Sequence, residues 1–261
     1  MKSRFALSYL LGVLLVLSGA WWPAGTAAGV TVADPEPRAS DCVVLLHGMG
    51  RTRFSMGALE DELEEAGYRV VNQGYPSTSM PIQEIAAQHV PEALSRCGEG
   101  SVRVHFVTHS LGGIVVRYYL QDHSLPPESR VVMLSPPNQG SELADRFKDS
   151  LWYQWLTGPP GQQLGTGPDS VPRRLGPVDA QVGVITGRDT WEPWFSRLIP
   201  GEDDGKVSVE RAKLEEMADF LVVDSSHPFI MYDRAVIAQV RHFLDTGSFE
   251  HEGSDSDDPQ R

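Results

Sequence analysis

Between Val104 and Leu120 the chain passes from a β-branched, apolar run, Val104-His105-Phe106-Val107, through Thr108-His109-Ser110-Leu111-Gly112-Gly113. It then enters the apolar, helix-spaced stretch Ile114-Val115-Val116-Arg117-Tyr118-Tyr119-Leu120. A strand that turns directly into a helix, with a serine at the turn, holds that serine's hydroxyl clear of the backbone. The turn crowds two neighbouring side chains together, so the positions around the serine call for small residues. The usual pattern is Gly-x-Ser-x-Gly; here Thr108 takes the first position and the pattern reads Thr-x-Ser-x-Gly-Gly. A serine before Leu-Gly-Gly is also a common helix N-cap, so this stretch alone leaves nucleophile and cap both open.

Short apolar runs alternate with helical spacing on both sides of it. Cys42-Val43-Val44-Leu45-Leu46 is apolar without interruption, as in a strand buried on both faces, and leads straight into His47-Gly48-Met49-Gly50. Residues 54–66 place Leu59 and Leu63 on one helical face with an acidic face opposite, and Gly67 stops the helix. A strand at 68–72, a helix at 82–96 and strands at 103–107 and 130–134 follow, then strands at 182–185 and 220–223 and a closing helix at 235–244. The alternation predicts an α/β fold with a mostly parallel, doubly wound sheet of about six strands and flanking helices. A length of 261 residues suits one such domain. Lys+Arg of 22 against Asp+Glu of 35 gives a formal charge of −13, which argues against a nucleic-acid partner.

Residues 1–28 have the composition of an export signal, with Lys2 and Arg4, an apolar middle, and Thr26-Ala27-Ala28 as a small-residue cleavage site. The apolar stretch continues to Trp21-Trp22 and borders on spanning length, so an uncleaved membrane anchor is the competing reading. Both readings expect an exported chain, either periplasmic or secreted, or held at the inner membrane through that segment. Residues 29–40 read as a linker, 41–249 as the folded domain, and 250–261 as an acidic, disordered tail. Cys42 opens one strand and Cys97 ends a helix that leads back to a neighbouring strand, so both fall below the amino ends of the strands. Export favours a Cys42–Cys97 bridge; two buried thiols are the alternative.

A serine hydroxyl needs a base, an orienting carboxylate and an anion site before it attacks at neutral pH. In strand–turn–helix serine hydrolases the acid and then the histidine follow the serine in the chain. Downstream of Ser110 lie His123, His227, His242 and His251. His123 sits in a polar loop, His242 inside the last helix and His251 in the tail, whereas His227 follows the last strand directly, at the carboxyl edge where Ser110 lies. His227 is therefore the expected base. The acid is expected from Asp203 or Asp204 in the tight turn Gly201-Glu202-Asp203-Asp204-Gly205, with Asp189 a third candidate. The N–H of Leu111, at the positive end of a helix, is one expected oxyanion donor, and the N–H of Met49, in the glycine-rich loop after the first strand, is the other. His47 precedes the serine and is expected to brace that loop.

Taken together, His47-Gly48-Met49, Thr108-His109-Ser110-Leu111-Gly112-Gly113, Asp203-Asp204-Gly205-Lys206-Val207 and His227, in this order and spacing, resemble the bacterial α/β-hydrolase lipases and esterases. The similarity runs over about residues 42–249 and includes Ser135-Pro136-Pro137-Asn138-Gln139-Gly140-Ser141 after the strand that follows the elbow helix. The resemblance implies the α/β-hydrolase fold. It selects Asp204, the aspartate directly before the glycine, as the acid, and Met49, the residue after His-Gly, as an oxyanion donor. Thr108 is the main departure.

The expected function is a serine carboxyl-ester hydrolase, an esterase or lipase, acting through an acyl-enzyme on an ester or lipid substrate without metal or organic cofactor. Cys and His show no zinc-type ligand spacing. Acyl transfer by the same triad and a non-catalytic binding protein of this fold are the alternatives. A short cap is expected near 141–177, which points to small or medium acyl groups. Its cluster Leu151-Trp152-Tyr153-Gln154-Trp155-Leu156 reads equally as acyl pocket or as ordinary core, and Trp191 and Trp194 carry the same ambiguity.

Overall fold

The structure, a computed structural model, describes residues 40–191 and 193–251. The expected signal or anchor, nearly all of the linker and most of the tail lie outside the described residues. Six strands form one sheet: β1 (Asp41–Leu46), β2 (Arg69–Gln73), β3 (Arg103–His109), β4 (Arg130–Leu134), β5 (Gln181–Gly187) and β6 (Asp219–Val223). Their order is β2-β1-β3-β4-β5-β6 and every neighbouring pair is parallel. The helices are α1 (Gly57–Glu65), α2 (Ile82–Cys97), α3 (Leu111–Tyr119), α4 (Glu142–Phe147), α5 (Leu151–Gln163), α6 (Val171–Arg174), α7 (Pro193–Ser196), α8 (Val209–Ala212) and α9 (Arg234–Thr246).

Burial on both faces explains why the interior strands β1 and β4 read as nearly uninterrupted apolar runs, whereas the edge strands β2 and β6 are only partly buried. In β1, Cys42, Val44 and Leu46 face one core while Val43 and Leu45 face the other, and all five are buried. The first core takes Ile82, Ile85 and Val90 from α2 and Ile114 and Val115 from α3. The second takes Leu59 and Leu63 from α1 and Val236, Val240 and Phe243 from α9. The start of α9 is fixed by Asp233, whose side chain accepts the Ala235 N–H at 2.9 Å.

From β1 the chain steps to β2 on one side, then returns to add β3 and the later strands on the other. The strand order thus reverses between β1 and β3, and the crevice outside such a reversal is where open parallel sheets bind ligands. Leu46 and Thr108 are paired across these two strands. The loop beginning at His47 and the turn at Ser110 consequently emerge side by side.

At the opposite edge, Cys42 and Cys97 form a disulfide with Cα atoms 5.6 Å apart. Closing a loop with a sequence separation of 55 removes unfolded-state freedom equivalent to about 4 kcal/mol in the chain-entropy account. Replacing both cysteines by alanine is expected to lower unfolding free energy by about 2–4 kcal/mol while leaving the surroundings of Ser110 intact. Urea denaturation of the two proteins measures it. At the carboxyl end, Glu250 exchanges two hydrogen bonds with Gln239, at 2.9 and 3.0 Å, and His251 Nε2 lies 2.9 Å from Asp219. The first two residues of the expected tail are therefore held against the domain.

Candidate active site

Ser110 stands between β3 and α3 with φ 51° and ψ −117°, a left-handed conformation that a residue with a Cβ adopts only when its surroundings force it. Two hydrogen bonds do so: the Ser110 N–H donates to the Leu134 carbonyl at 2.8 Å, and its own carbonyl accepts the Gly113 N–H at 3.0 Å. Glycine is needed at 112 because a Cβ there would meet the Leu46 carbonyl at 2.5 Å. Thr108, the departure from the usual pattern, fits: it is fully buried, and its hydroxyl lies 3.5 Å from the Val132 carbonyl.

The structure brings Ser110, His227 and Asp204 into one hydrogen-bonded chain. Ser110 Oγ lies 3.0 Å from His227 Nε2, and His227 Nδ1 lies 2.8 Å from Asp204 Oδ2. A carboxylate only accepts, so His227 donates from Nδ1 and presents a bare Nε2 to the serine hydroxyl. The other Asp204 oxygen accepts the backbone N–H groups of Lys206 at 3.0 Å and Val207 at 2.9 Å, and the Asp204 carbonyl accepts the His227 N–H at 2.9 Å. Asp204 thereby fixes both the backbone and the ring of residue 227.

The competing candidates are occupied elsewhere. Asp203 Oδ1 accepts from the Ser196 hydroxyl at 2.6 Å and the Gly205 N–H at 2.7 Å, shaping the turn. Asp189 is exposed and accepts the Thr190 N–H. His123 stacks on Tyr119, and His242 and His251 lie beside Glu250 and Asp219.

Leu111 is the first residue of α3, so its N–H has no acceptor within the helix. Met49 lines the same cavity as Ser110, and its loop is braced from several sides. His47 stacks on Tyr75 with centroids 4.2 Å apart and donates from Nδ1 to the Gly48 carbonyl at 2.9 Å. The Gly50 N–H donates to Ser77 at 3.1 Å.

Three features here have no plain sequence signal. His109 is buried and donates from Nε2 to the His227 carbonyl at 3.0 Å, a second hold on the backbone of residue 227. Burial, reinforced by the neighbouring His227, drives the His109 pKa well down and keeps the ring neutral. Arg51 reaches over the site and donates to the Pro228 carbonyl at 3.2 Å. Arg117, buried within α3, donates to the Asn138 backbone and side-chain oxygens at 3.0 and 3.2 Å and so fixes the segment after β4; burial pushes its pKa down to about 10. An arginine inside an otherwise apolar helix was the available hint.

Buried neutral histidines make the fold acid-sensitive. His105 accepts the Arg130 N–H at Nδ1, and burial pushes its pKa down to about 4. In the unfolded chain the same ring titrates near 6.5, so below that pH the unfolded state binds more protons and stability falls with falling pH. His105 alone is expected to cost about 3 kcal/mol as pH drops from above 6.5 to about 4, and His109 and His47 act in the same direction. Urea titrations at pH 7 and pH 5 measure the loss, and His105→Gln is expected to reduce it.

A cavity of about 370 Å³ opens beside Ser110 and His227, a size typical of small-molecule sites. Leu143, Phe147, Tyr153, Leu156 and Leu164 from the 141–177 segment form its apolar wall, with Phe195 and Val207 opposite. The 151–156 cluster divides between the two expected readings: Tyr153 is buried and faces the cavity, Trp152 and Leu156 line it while half open to solvent, and Trp155 points outward. The division follows from helical geometry, since Tyr153 and Trp155, two residues apart, lie on opposite faces of α5. Beyond them Gly158, with φ 57°, breaks the helix where a Cβ would collide with the Thr78 carbonyl.

Residues 43–246 match the model of the Alpha/beta hydrolase family. The chain belongs to that family. This α/β hydrolase also resembles solved structures at low identity. It is 20% identical to the mature Bacillus licheniformis lipase BlEst2, with 82% of this chain and 95% of that one aligned at a TM-score of 0.60. Against the metagenomic carboxyl esterase MGS0156 the identity is 20%, the coverage 74% and 66%, and the TM-score 0.58. Against phospholipase PlaB from Legionella pneumophila the figures are 19%, 72% and 53%, and 0.58. No curated protein matches the chain in sequence. Among such distant relatives the likeness establishes the sheet and its flanking helices, and the hydrolase assignment rests on the family.

Proposed function

We propose that this α/β hydrolase is a serine carboxyl-ester hydrolase working through an acyl-enzyme, with Ser110 as nucleophile, His227 as base and Asp204 as orienting acid. The observation that carries the reading is the continuous chain Ser110 Oγ–His227 Nε2, 3.0 Å, and His227 Nδ1–Asp204 Oδ2, 2.8 Å, at the mouth of an apolar cavity. Ser110 Oγ attacks the ester carbonyl while His227 takes its proton. The tetrahedral oxyanion rests on the N–H groups of Met49 and Leu111, each such donor being worth about 2.7–4 kcal/mol in the transition state. His227 then hands the proton to the departing alcohol. Water, activated by the same imidazole, releases the acid and restores Ser110. Asp204 keeps the proton on Nδ1 and stabilises the imidazolium.

The cavity's volume of about 370 Å³ lies near the small end for ligand sites and supports small to medium acyl groups. The paired Cys42 and Cys97 support export to an oxidising compartment. The test is turnover of p-nitrophenyl esters of increasing acyl length together with fluorophosphonate labelling of Ser110. Turnover and labelling that share one site, with an optimum at short or medium chains, are expected. A folded protein that neither turns over nor labels would point to the binding-protein alternative, and acyl transfer to added alcohols in preference to water would point to a transferase.

A further inference from the structure

The described residues contain four tryptophans, Trp152, Trp155, Trp191 and Trp194, and every one is exposed, at 51%, 86%, 67% and 61% of its surface respectively. Tryptophan is usually highly buried, so four exposed indoles and no buried one among these residues is a departure that calls for a cause. All four lie on elements around one opening. Trp152 lines the cavity beside Ser110 and packs on Phe147, with centroids 5.2 Å apart; Phe147 meets Phe195 at 6.2 Å, and Phe195 meets Trp194 at 6.4 Å. Trp191 meets Phe229 at 6.0 Å, and Phe229 follows Pro228 on the cavity wall. Leu151 and Leu156 add exposed aliphatic surface beside Trp155.

We infer that this tryptophan collar docks the protein on a zwitterionic lipid surface, the mouth of the cavity facing the lipid. Indole rings combine a large apolar face with one N–H donor, and they settle at the boundary between headgroups and acyl chains. Through Trp152, Phe147 and Phe195 the collar joins the cavity's apolar wall, so a short or medium acyl group leaving the lipid surface passes from one apolar surface to the next. The formal charge of −13 opposes approach to an anionic bilayer and leaves neutral headgroups as the fitting surface. The inference rests on the ester-hydrolase reading for what is done with the lipid, but docking itself needs no turnover.

The test uses the full chain carrying Trp21→Phe and Trp22→Phe, so that emission comes from the collar, and Ser110→Ala, so that binding is read without hydrolysis. Phosphatidylcholine vesicles, plain or with brominated acyl chains, are the probe. A blue shift, quenching by the brominated lipid and co-flotation are expected. Adding Trp155→Gln, Trp191→Gln and Trp194→Gln is expected to weaken vesicle binding on the order of a hundredfold. None of these three lines the cavity, so with Ser110 restored the same triple variant is expected to keep its turnover of soluble p-nitrophenyl butyrate. Flotation without quenching of the collar's emission by brominated lipid would assign binding to another part of the chain, such as residues 1–28, and overturn the inference. So would emission that is blue-shifted before vesicles are added and indifferent to brominated lipid, the sign of a collar covered by its own chain or by a second copy. Binding confined to phosphatidylglycerol vesicles and abolished by salt would overturn it too. Failure of ester turnover alone would strike the functional reading and leave docking standing.

Discussion

Ser110→Ala is expected to lower ester turnover by a factor on the order of 10⁴ to 10⁶ and to abolish fluorophosphonate labelling, while the protein stays folded. The substitution removes the hydroxyl that lies 3.0 Å from His227 Nε2. The backbone holds its shape because the two hydrogen bonds at residue 110 come from its N–H and its carbonyl, which alanine keeps. Alanine at φ 51° is strained as serine is, so the strain carries over unchanged. Residual catalysis from the oxyanion donors and substrate binding sets the floor. Paired measurements of kcat and of unfolding free energy decide the matter: a variant retaining a tenth or more of native turnover would show that Ser110 is no nucleophile.

Asp204→Asn is expected to cost about 10⁴-fold in kcat, nearly as much, although it exchanges a single oxygen for an NH₂ group. The asparagine carbonyl oxygen can keep the two N–H bonds from Lys206 and Val207 at Oδ1, so the turn survives. The amide nitrogen then takes the place of Oδ2, 2.8 Å from His227 Nδ1, and presents a donor where the carboxylate presented an acceptor. The imidazole responds by carrying its proton on Nε2, the wrong nitrogen for accepting from Ser110. Asp203→Asn is the control. Its carboxylate holds Ser196 and the Gly205 N–H rather than the imidazole, so its kcat is expected to stay within about tenfold of native. A larger effect at 203 than at 204 would exchange their roles.

Much of this architecture was legible in the residue pattern. The six strands are visible because short runs rich in β-branched and apolar residues, unbroken in the two-faced β1 and β4, stand out between helical spacings. His227 could be singled out because a residue directly after the last strand must emerge at the carboxyl edge. Asp203 and Asp204 could not be separated on physical grounds, since adjacent carboxylates in one tight turn differ only in which way each side chain leaves the backbone. Only the resemblance chose between them; the hydrogen bonds to Ser196 and to His227 now distinguish the two. The cap was harder still. The 151–156 cluster reads as pocket wall or as core because periodicity separates the faces of a helix without saying which face meets the cavity, and the break at Gly158 depends on the distant Thr78 carbonyl that no local pattern reveals. His109 was hidden for a similar reason: its partner lies at residue 227.

Asp204 grips residue 227 through both its backbone and its ring, so the proposed acid and base form one piece, while Ser110 belongs to another built from β3, β4 and α3. Residues 141–177 lie between these pieces in the chain and supply most of the apolar wall of the cavity. Insertions, losses and exchanges in that interval would therefore reshape the cavity wall without re-registering Ser110, Asp204 and His227. The proposed chemistry and the shape of the cavity thus sit on separate stretches of chain and can be altered one without the other.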